Sequence, residues 1–270
     1  MKNLLITGSN GYIGSSFIKY LRKINYNKLK IHTINRSGIA KYNIDLANYN
    51  SLNNALSEIK PDYILHLAAF VNPKKNEENV EKSKIDNFIA TKNLVDLSIA
   101  YDAKFIFTST DKVYDGINPK PKEDENLNPT FVYGKMKLES EKYLTNIFNK
   151  YYIFRVPIVH GLGETTNSFI DNSINQLKNL NEVKSFNNIF RCYIFLDDLF
   201  ELFLQSIDSE EYGIYNCGTE AFSYYDRIKF LCNKLNLDTK YLISEKGNVS
   251  PIIQNLNREK IFKKFNISFR

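Results

Sequence analysis

Residues 2–14 read KNLLITGSNGYIG, and the fold turns on this stretch. Lys2–Thr7 is a short apolar run of strand type. Gly8, Gly11 and Gly14 follow it and lead into a helical pattern, Gly14–Lys23, with Phe17, Ile18 and Leu21 on one face. An apolar strand that ends in spaced glycines and passes into a helix is the local pattern of a phosphate-binding turn. Gly8 permits the tight turn, Gly11 lets backbone approach a pyrophosphate, and Gly14 lets the helix pack close to the strand. The helix N-terminus adds free N–H groups and the positive end of its dipole. An ordinary strand–helix turn is the lesser alternative. The Gly-x-x-Gly-x-x-Gly spacing is one residue longer in its first gap than the usual dinucleotide fingerprint.

Outward from this turn, strands and helices alternate. Lys30–Asn35, Tyr63–Ala68, Lys104–Ser109 and Tyr152–Pro157 are strand-like, and Asn50–Ile59, Ser83–Tyr101 and Gly134–Asn149 are helical in pattern. Near-continuous apolar strands in such an order predict an α/β fold, a doubly wound parallel sheet covered on both faces. Beyond Ile158 the pattern loosens. Asn167–Asn179, Asp198–Ile207, Ser223–Lys234 and Ile252–Phe265 are expected as helices, and Arg191–Leu196 and Gly213–Cys217 as strands. The division expected is a dinucleotide-binding domain of residues 1–158 with 193–219, and a small C-terminal substrate lobe of residues 159–192 with 220–270. Gly116–Pro129, with Pro119, Pro121 and Pro129, is expected as a loop beside the site.

Composition bounds the function. In 270 residues, 36 Lys and Arg face 30 Asp and Glu, a net charge of +6 that is far from a nucleic-acid-coating balance. With 43% hydrophobic and 24% charged residues the chain is expected to be globular. The basic clusters Lys74-Lys75, Lys120/Lys122 and Lys263-Lys264 lack interleaved aromatics, so no nucleic-acid partner is expected. No apolar run reaches the roughly 18 residues of a membrane span, and the N-terminus lacks the apolar stretch of an export signal. Cys192, Cys217 and Cys232 show no CxxC spacing, which fits a reducing cytoplasm. His32, His66 and His160 are scattered, so no metal site is expected.

Two places carry chemistry. The second strand ends at Asn35-Arg36-Ser37, where a carboxylate would hold the ribose diol of NAD. None is present, and Arg36 can meet a 2′-phosphate, so NADP(H) is favoured with NAD(H) as the alternative. Tyr133 and Lys137 lie a helical turn apart on one face. A lysine ammonium near a phenol is expected to lower the phenol pKa, which suits Tyr133 as a general acid toward a carbonyl oxygen receiving hydride. Tyr-x3-Lys is a common spacing in a chain with 18 tyrosines. It gains weight from Phe107-Thr108-Ser109-Thr110, a strand end that brings hydroxyls to the carboxyl edge of the sheet, where ligands bind in such folds.

These residues resemble the extended short-chain dehydrogenase/reductase family over nearly the whole chain. The glycine turn, Asp45-Leu46, His66-Leu67-Ala68-Ala69, the segment Asn87 to Leu94 (with Ala90 where glycine is usual), Thr110, Tyr133, Lys137, Arg155-Val156-Pro157, His160-Gly161 and Arg191 with Leu196–Leu199 are similar to its motifs. The resemblance implies a Rossmann-type fold. It implies cofactor contacts at Gly8, Asn10, Gly11, Tyr12, Ile13, Gly14, Arg36, Asp45, Leu46, Leu67, Ala68, Ala69, Thr108, Tyr133, Lys137, Pro157 and Val159. Catalytic roles fall on Thr110, Tyr133 and Lys137, and substrate contacts on Phe70, Lys112 and Arg191.

Within that family, Ser109-Thr110-Asp111-Lys112-Val113-Tyr114-Asp115-Gly116, the run Gly213–Gly218 with Ser223–Tyr225, and Pro251, Leu256 and Lys260 resemble the dTDP-4-dehydrorhamnose reductases. That implies NAD(P)H-dependent reduction of a nucleotide-linked 4-keto-6-deoxy sugar in surface polysaccharide synthesis, and a homodimer through the helices near Asn87–Tyr101 and Gly134–Asn149. Lys112 stands where those reductases carry an aromatic residue. Ser-Thr-Asp-Lys also resembles nucleotide-sugar 4,6-dehydratases, one alternative beside a 4-epimerase with bound NAD(P) and a non-catalytic NADP-binding regulatory subunit.

Overall fold

A computed structural model describes all residues except 39, 126, 163–167 and 249–251, and the side chains of 252 and 253. The expected positions Pro251 and Asn167 therefore lie outside the described residues. In chain order the first part runs β1 (Lys2–Thr7), α1 (Tyr12–Lys23), β2 (Leu29–Asn35), β3 (Tyr42–Asn43), α2 (Tyr49–Ile59), β4 (Tyr63–His66), α3 (Pro73–Glu78) and α4 (Val80–Ser83). A wide π turn, Lys84–Ile89, joins α4 to α5 (Ala90–Ala100). Then come β5 (Lys104–Thr110), a 3-10 turn at Asp111–Val113, α6 (Val132–Ile147) and β6 (Tyr151–Val156). The later elements are β7 (Ile158–His160), α7 (Phe169–Lys178), β8 (Val183–Phe186), β9 (Ile189–Arg191), β10 (Tyr193–Phe195), α8 (Leu196–Asp208), β11 (Gly213–Asn216), β12 (Phe222–Ser223), α9 (Tyr224–Lys234), β13 (Leu242–Glu245), β14 (Ile252–Gln254) and α10 (Glu259–Lys264).

The central sheet has seven strands in the order β11-β6-β5-β4-β1-β2-β3, a Rossmann-like arrangement. β1 pairs in parallel with both β2 and β4, so the chain reverses its direction of travel across the sheet beside β1. Ligands of such sheets bind at this switch point, outside the carboxyl ends of the strands.

Two units divide the chain: Met1–Asp115, Asn126–Arg155 and Phe200–Tyr215 form one, and Gly116–Glu125, Val156–Leu199 and Asn216–Arg270 the other. In the first, the central strands β1, β4, β5 and β6 are largely buried. On one face Leu5, Ile64, Phe105 and Ile153 pack with Leu52, Leu56, Leu94 and Leu144 of α2, α5 and α6. On the other, Phe17 of α1 meets Phe200 and Phe203 of α8, with ring centroids 5.2 and 5.5 Å apart. Burial on both faces is the reason the strands read as unbroken apolar runs rather than as alternation.

The second unit has short strand pairs, β7 with β10, β8 with β13, and β9 between β12 and β14. Its core holds Ile170, Ile174, Tyr193, Ile228 and Leu231. Ser168 and Ser223 cap α7 and α9 by accepting from the amides of Asp171 and Asp226, as short hydroxyl residues do at helix starts. Two expectations fail here. Ile252–Phe265 is not one helix: Ile252–Gln254 forms a strand paired with β9, and helix resumes only at Glu259. The β-branched pair favours a strand, and Asn255 breaks the run by accepting from the Leu256 amide. Arg191–Leu196 is likewise split, with Arg191 ending β9 and Tyr193–Phe195 pairing with β7 in a different sheet.

His160 in this unit is fully buried. Its Nδ1 faces the Gly161 carbonyl at 2.8 Å, and Nε2 accepts from Arg227 at 2.8 and 3.1 Å, so the ring is neutral with its proton on Nδ1. Burial and the Arg227 cation push its pKa down to about 4, from an ordinary 6.5. Between those values the unfolded chain binds a proton that the folded chain refuses, so stability is lost as pH falls from 6.5 toward 4. Melting temperature is expected to decline between pH 7 and 5, and His160→Gln to flatten the decline. An equal slope in the variant would show that His160 is not its source.

Candidate active site

The glycine turn forms as expected. Gly8 has φ +69°, and a Cβ there would stand 2.7 Å from the Ala68 backbone, so only glycine lets β1 and the end of β4 approach this closely. Gly11 is the N-cap of α1 and brings no side-chain acceptor to the first turn, so the Ile13 and Gly14 amides carry no side-chain cap from it. Beside it lies a cleft of about 290 Å³. Gly8, Gly11, Arg36, Leu46, Leu67, Ala68 and Ala69, all expected as cofactor contacts, line it together with Phe70, expected as a substrate contact, and Ile34, Asn35, Ile44, Asp86 and Ala90. The bare turn and the apolar walls fit a dinucleotide.

Polar bonds hold this cleft in shape. His66 is buried between Thr7 (Nδ1 to Oγ1, 2.7 Å) and Thr91 (Nε2 to Oγ1, 3.0 Å). Thr91 gives its own proton to the Asn87 carbonyl, so His66 Nε2 donates and Nδ1 accepts from Thr7. Burial, with Lys137 adding a like charge, keeps His66 neutral, its pKa well below 6.5. Asn87 accepts from the Phe70 amide at 2.8 Å and donates to the Phe70 carbonyl at 3.1 Å, which pins the loop after β4 to the π turn. Asp45 accepts from the Ala47 amide, and Asn10 donates to the Ser37 carbonyl. Arg36 differs from expectation. Its guanidinium is already bound by Asp86, a residue the sequence reading passed over. The signal available was an acid one turn before Ala90 on the helix that faces the cleft.

Thr110, Tyr133 and Lys137 all belong to the first unit. Thr110 ends β5, and its hydroxyl accepts from the Lys112 amide at 3.2 Å. Gly134 lets the first turn of α6 sit against the 3-10 turn, since a Cβ there would be 2.3 Å from the Lys112 carbonyl oxygen. Tyr133, half-buried, lies in that first turn of α6. Lys137 is buried, with Nζ donating to the Thr108 carbonyl at 2.9 Å and lying 5.9 Å from the Tyr133 ring centre. Thr108 in turn donates to the His66 carbonyl, so it steers Lys137 by its backbone.

The expected depression of the tyrosine pKa is overturned. Desolvation, then Asp111, pushes the phenol upward, so Tyr133 keeps its proton at neutral pH. The pKa that moves into the working range is that of Lys137: burial brings it down to about 7, against the attraction of Glu141. Lys112 is half-buried with its ammonium 5.8 Å from the Phe131 ring centre. In the second unit, Arg191 is buried at the end of β9, Pro157 precedes β7 and Val159 lies within it. Among the described residues no cluster of His, Cys, Asp or Glu could hold a metal, and no helix is long and apolar enough to cross a membrane.

A parallel sheet with a glycine turn at its switch point, an adjoining cleft and a tyrosine–lysine pair on the helix after β5 defines an α/β protein of Rossmann-like class. The chain belongs to the RmlD substrate binding domain family, which matches residues 1–259. It is 26% identical over 234 residues to the dTDP-4-dehydrorhamnose reductase of Aggregatibacter actinomycetemcomitans, covering 84% of this chain and 76% of that one. It is 25% identical over 251 residues to methionine adenosyltransferase 2 subunit beta of Xenopus tropicalis, covering 89% and 74%. In fold it is similar to a dTDP-4-dehydrorhamnose reductase from Bacillus anthracis solved in complex with NADP, with a TM-score of 0.86, 23% identity, and 100% and 94% coverage.

Proposed function

We propose that the protein is a nicotinamide-dependent reductase of a nucleotide-linked 4-keto-6-deoxy sugar, as its reductase relatives are named. The observation that carries this reading is the Tyr133–Lys137 pair on α6, with Lys137 bonded to the Thr108 carbonyl near the end of β5, in the unit that holds the cleft. The bound dinucleotide would supply the hydride. Gly8, Gly11, the amides of Ile13 and Gly14 and the walls Leu46, Leu67–Phe70 and Ala90 would hold the cofactor and keep water away. Tyr133, protonated at working pH, gives its phenolic proton to the substrate oxygen. Lys137 supplies a positive charge beside the phenolate that remains, and the Thr108 carbonyl holds the ammonium in place. Thr110 donates its hydroxyl to the same oxygen.

Purified protein mixed with reduced dinucleotide and a panel of nucleotide-linked 4-keto-6-deoxy sugars should oxidise the dinucleotide only when the right sugar is present. A second reading, a regulatory subunit on the same fold, draws support from the methionine adenosyltransferase subunit beta relatives. Tight dinucleotide binding with no oxidation by any sugar of the panel would favour it. The intact set of Thr110, Tyr133 and Lys137 supports the enzyme, because a purely structural dinucleotide site has no chemical use for a proton donor beside a buried lysine.

A further inference from the structure

The cation that was expected to meet a 2′-phosphate has an internal partner. Arg36 sends both terminal nitrogens to the Asp86 carboxylate, Nη1 at 3.2 Å and Nη2 closer still, and its Nε lies 3.6 Å from Asp45. Lys82 reaches the second oxygen of Asp86 at 2.8 Å. Asp86 belongs to the π turn and its side chain is only 6% exposed, whereas that of Arg36 is 50% exposed. Arg36 and Asp86 both line the cleft beside Asn35, Leu46 and Phe70. Burial alone would raise the Asp86 pKa, but the hydrogen bonds from Arg36 and Lys82 outweigh it, so the carboxylate stays charged.

We propose that Asp86 is a specificity-determining residue of the dinucleotide cleft: by holding the Arg36 guanidinium in a forked carboxylate pair it withholds that cation from a 2′-phosphate, so the cleft takes NAD(H) in preference to NADP(H). The inference rests on the dinucleotide reading above and reverses the cofactor preference suggested by Arg36 alone. A guanidinium binds a carboxylate and a phosphate through the same paired N–H groups, so the two acceptors compete for one face. To win, the phosphate must displace Asp86. That leaves a nearly buried carboxylate with Lys82 as its remaining cation, and it sets the incoming charge of about −1.5 to −2 beside both Asp86 and Asp45. A free ribose diol carries no charge and leaves the pair intact.

The test is a binding cycle on the full chain, following quenching or enhancement of nicotinamide fluorescence with NADH and with NADPH. The wild-type protein is expected to bind NADH more tightly than NADPH. Asp86→Asn keeps the shape, removes the charge and releases Arg36, and should move the affinity ratio toward NADPH by about tenfold or more, the size of one charge-assisted bond. Arg36→Met should change NADPH affinity by less than about threefold in the wild-type background, yet erase the gain in the Asp86→Asn background, a coupling that defines the shared cation. Far-ultraviolet circular dichroism and melting temperature report that each variant is folded, and the wild-type ratio tests the proposal without any substitution. A wild-type preference for NADPH, or a ratio that Asp86→Asn leaves within about twofold, overturns the proposal alone. Binding of neither dinucleotide by the wild-type protein overturns the cleft reading along with it.

Discussion

Tyr133→Phe is expected to lower turnover of the keto sugar by about 10²–10⁴ while leaving the dissociation constant of the dinucleotide unchanged. The substitution removes one oxygen. Lys137 keeps its bond to the Thr108 carbonyl, and the Gly8 turn is untouched. What disappears is the proton. The upward push on the Tyr133 pKa by burial and Asp111 makes it an acid in its resting state, which is the form a reduction consumes. Lys137, brought down to about 7 by burial, sits where modest changes of surroundings decide its charge. Formation of a phenolate beside it would favour the ammonium. Steady-state turnover together with a direct binding titration checks the prediction. A variant that keeps turnover within a few-fold of wild type would take the acid role away from Tyr133.

Glu141→Gln is expected to destabilise the fold by about 3–5 kcal/mol, the usual cost of stripping one partner from a buried ion pair. For a chain of this size that is a fall in melting temperature on the order of 10 °C. Glu141 and Arg155 have side chains 2% and 0% exposed. Arg155 donates to both Glu141 oxygens, with Nη2 at 2.7 Å, and Nη1 donates to the Tyr114 hydroxyl at 2.6 Å. Ser109 Oγ gives a further hydrogen bond to Glu141. The group joins α6, which carries Tyr133 and Lys137, to β5, which carries Thr110, and to β6. Removing the Glu141 charge leaves the buried Arg155 cation without its carboxylate. Replacing both, as in a Glu141→Met/Arg155→Met double variant, should cost less, because no orphan charge remains. Thermal melts of the three proteins decide this, and a single variant that melts within about 2 °C of wild type would show that the pair contributes little net stability.

Much of the architecture was legible because its signals are local. The run from Lys2 to Gly14 contains its own strand, turn and helix start, and the apolar runs of β4, β5 and β6 are continuous because these central strands are covered on two faces. The Tyr133–Lys137 spacing is a property of any helix, so their shared face needed no tertiary knowledge. The C-terminal third was less legible. Strands of two to four residues such as β12, β13 and β14 exist only through pairing with distant partners, so Ile252–Gln254 gives no sign in sequence that it will join β9.

What the chain determined by itself was the order of its elements, the glycine turn and the residue types offered to a ligand. What tertiary structure decided was the charge state and partnership of those residues. Arg36 and Asp86 are 50 residues apart in sequence, and their pairing depends on how β2 and the π turn meet across the cleft. The proton on Tyr133 and the low pKa of Lys137 follow from how much water the fold removes around each. Backbone geometry repeats along a chain, so periodicity can report it. Desolvation and ion pairing depend on what arrives from elsewhere, and they are settled only when the chain closes on itself.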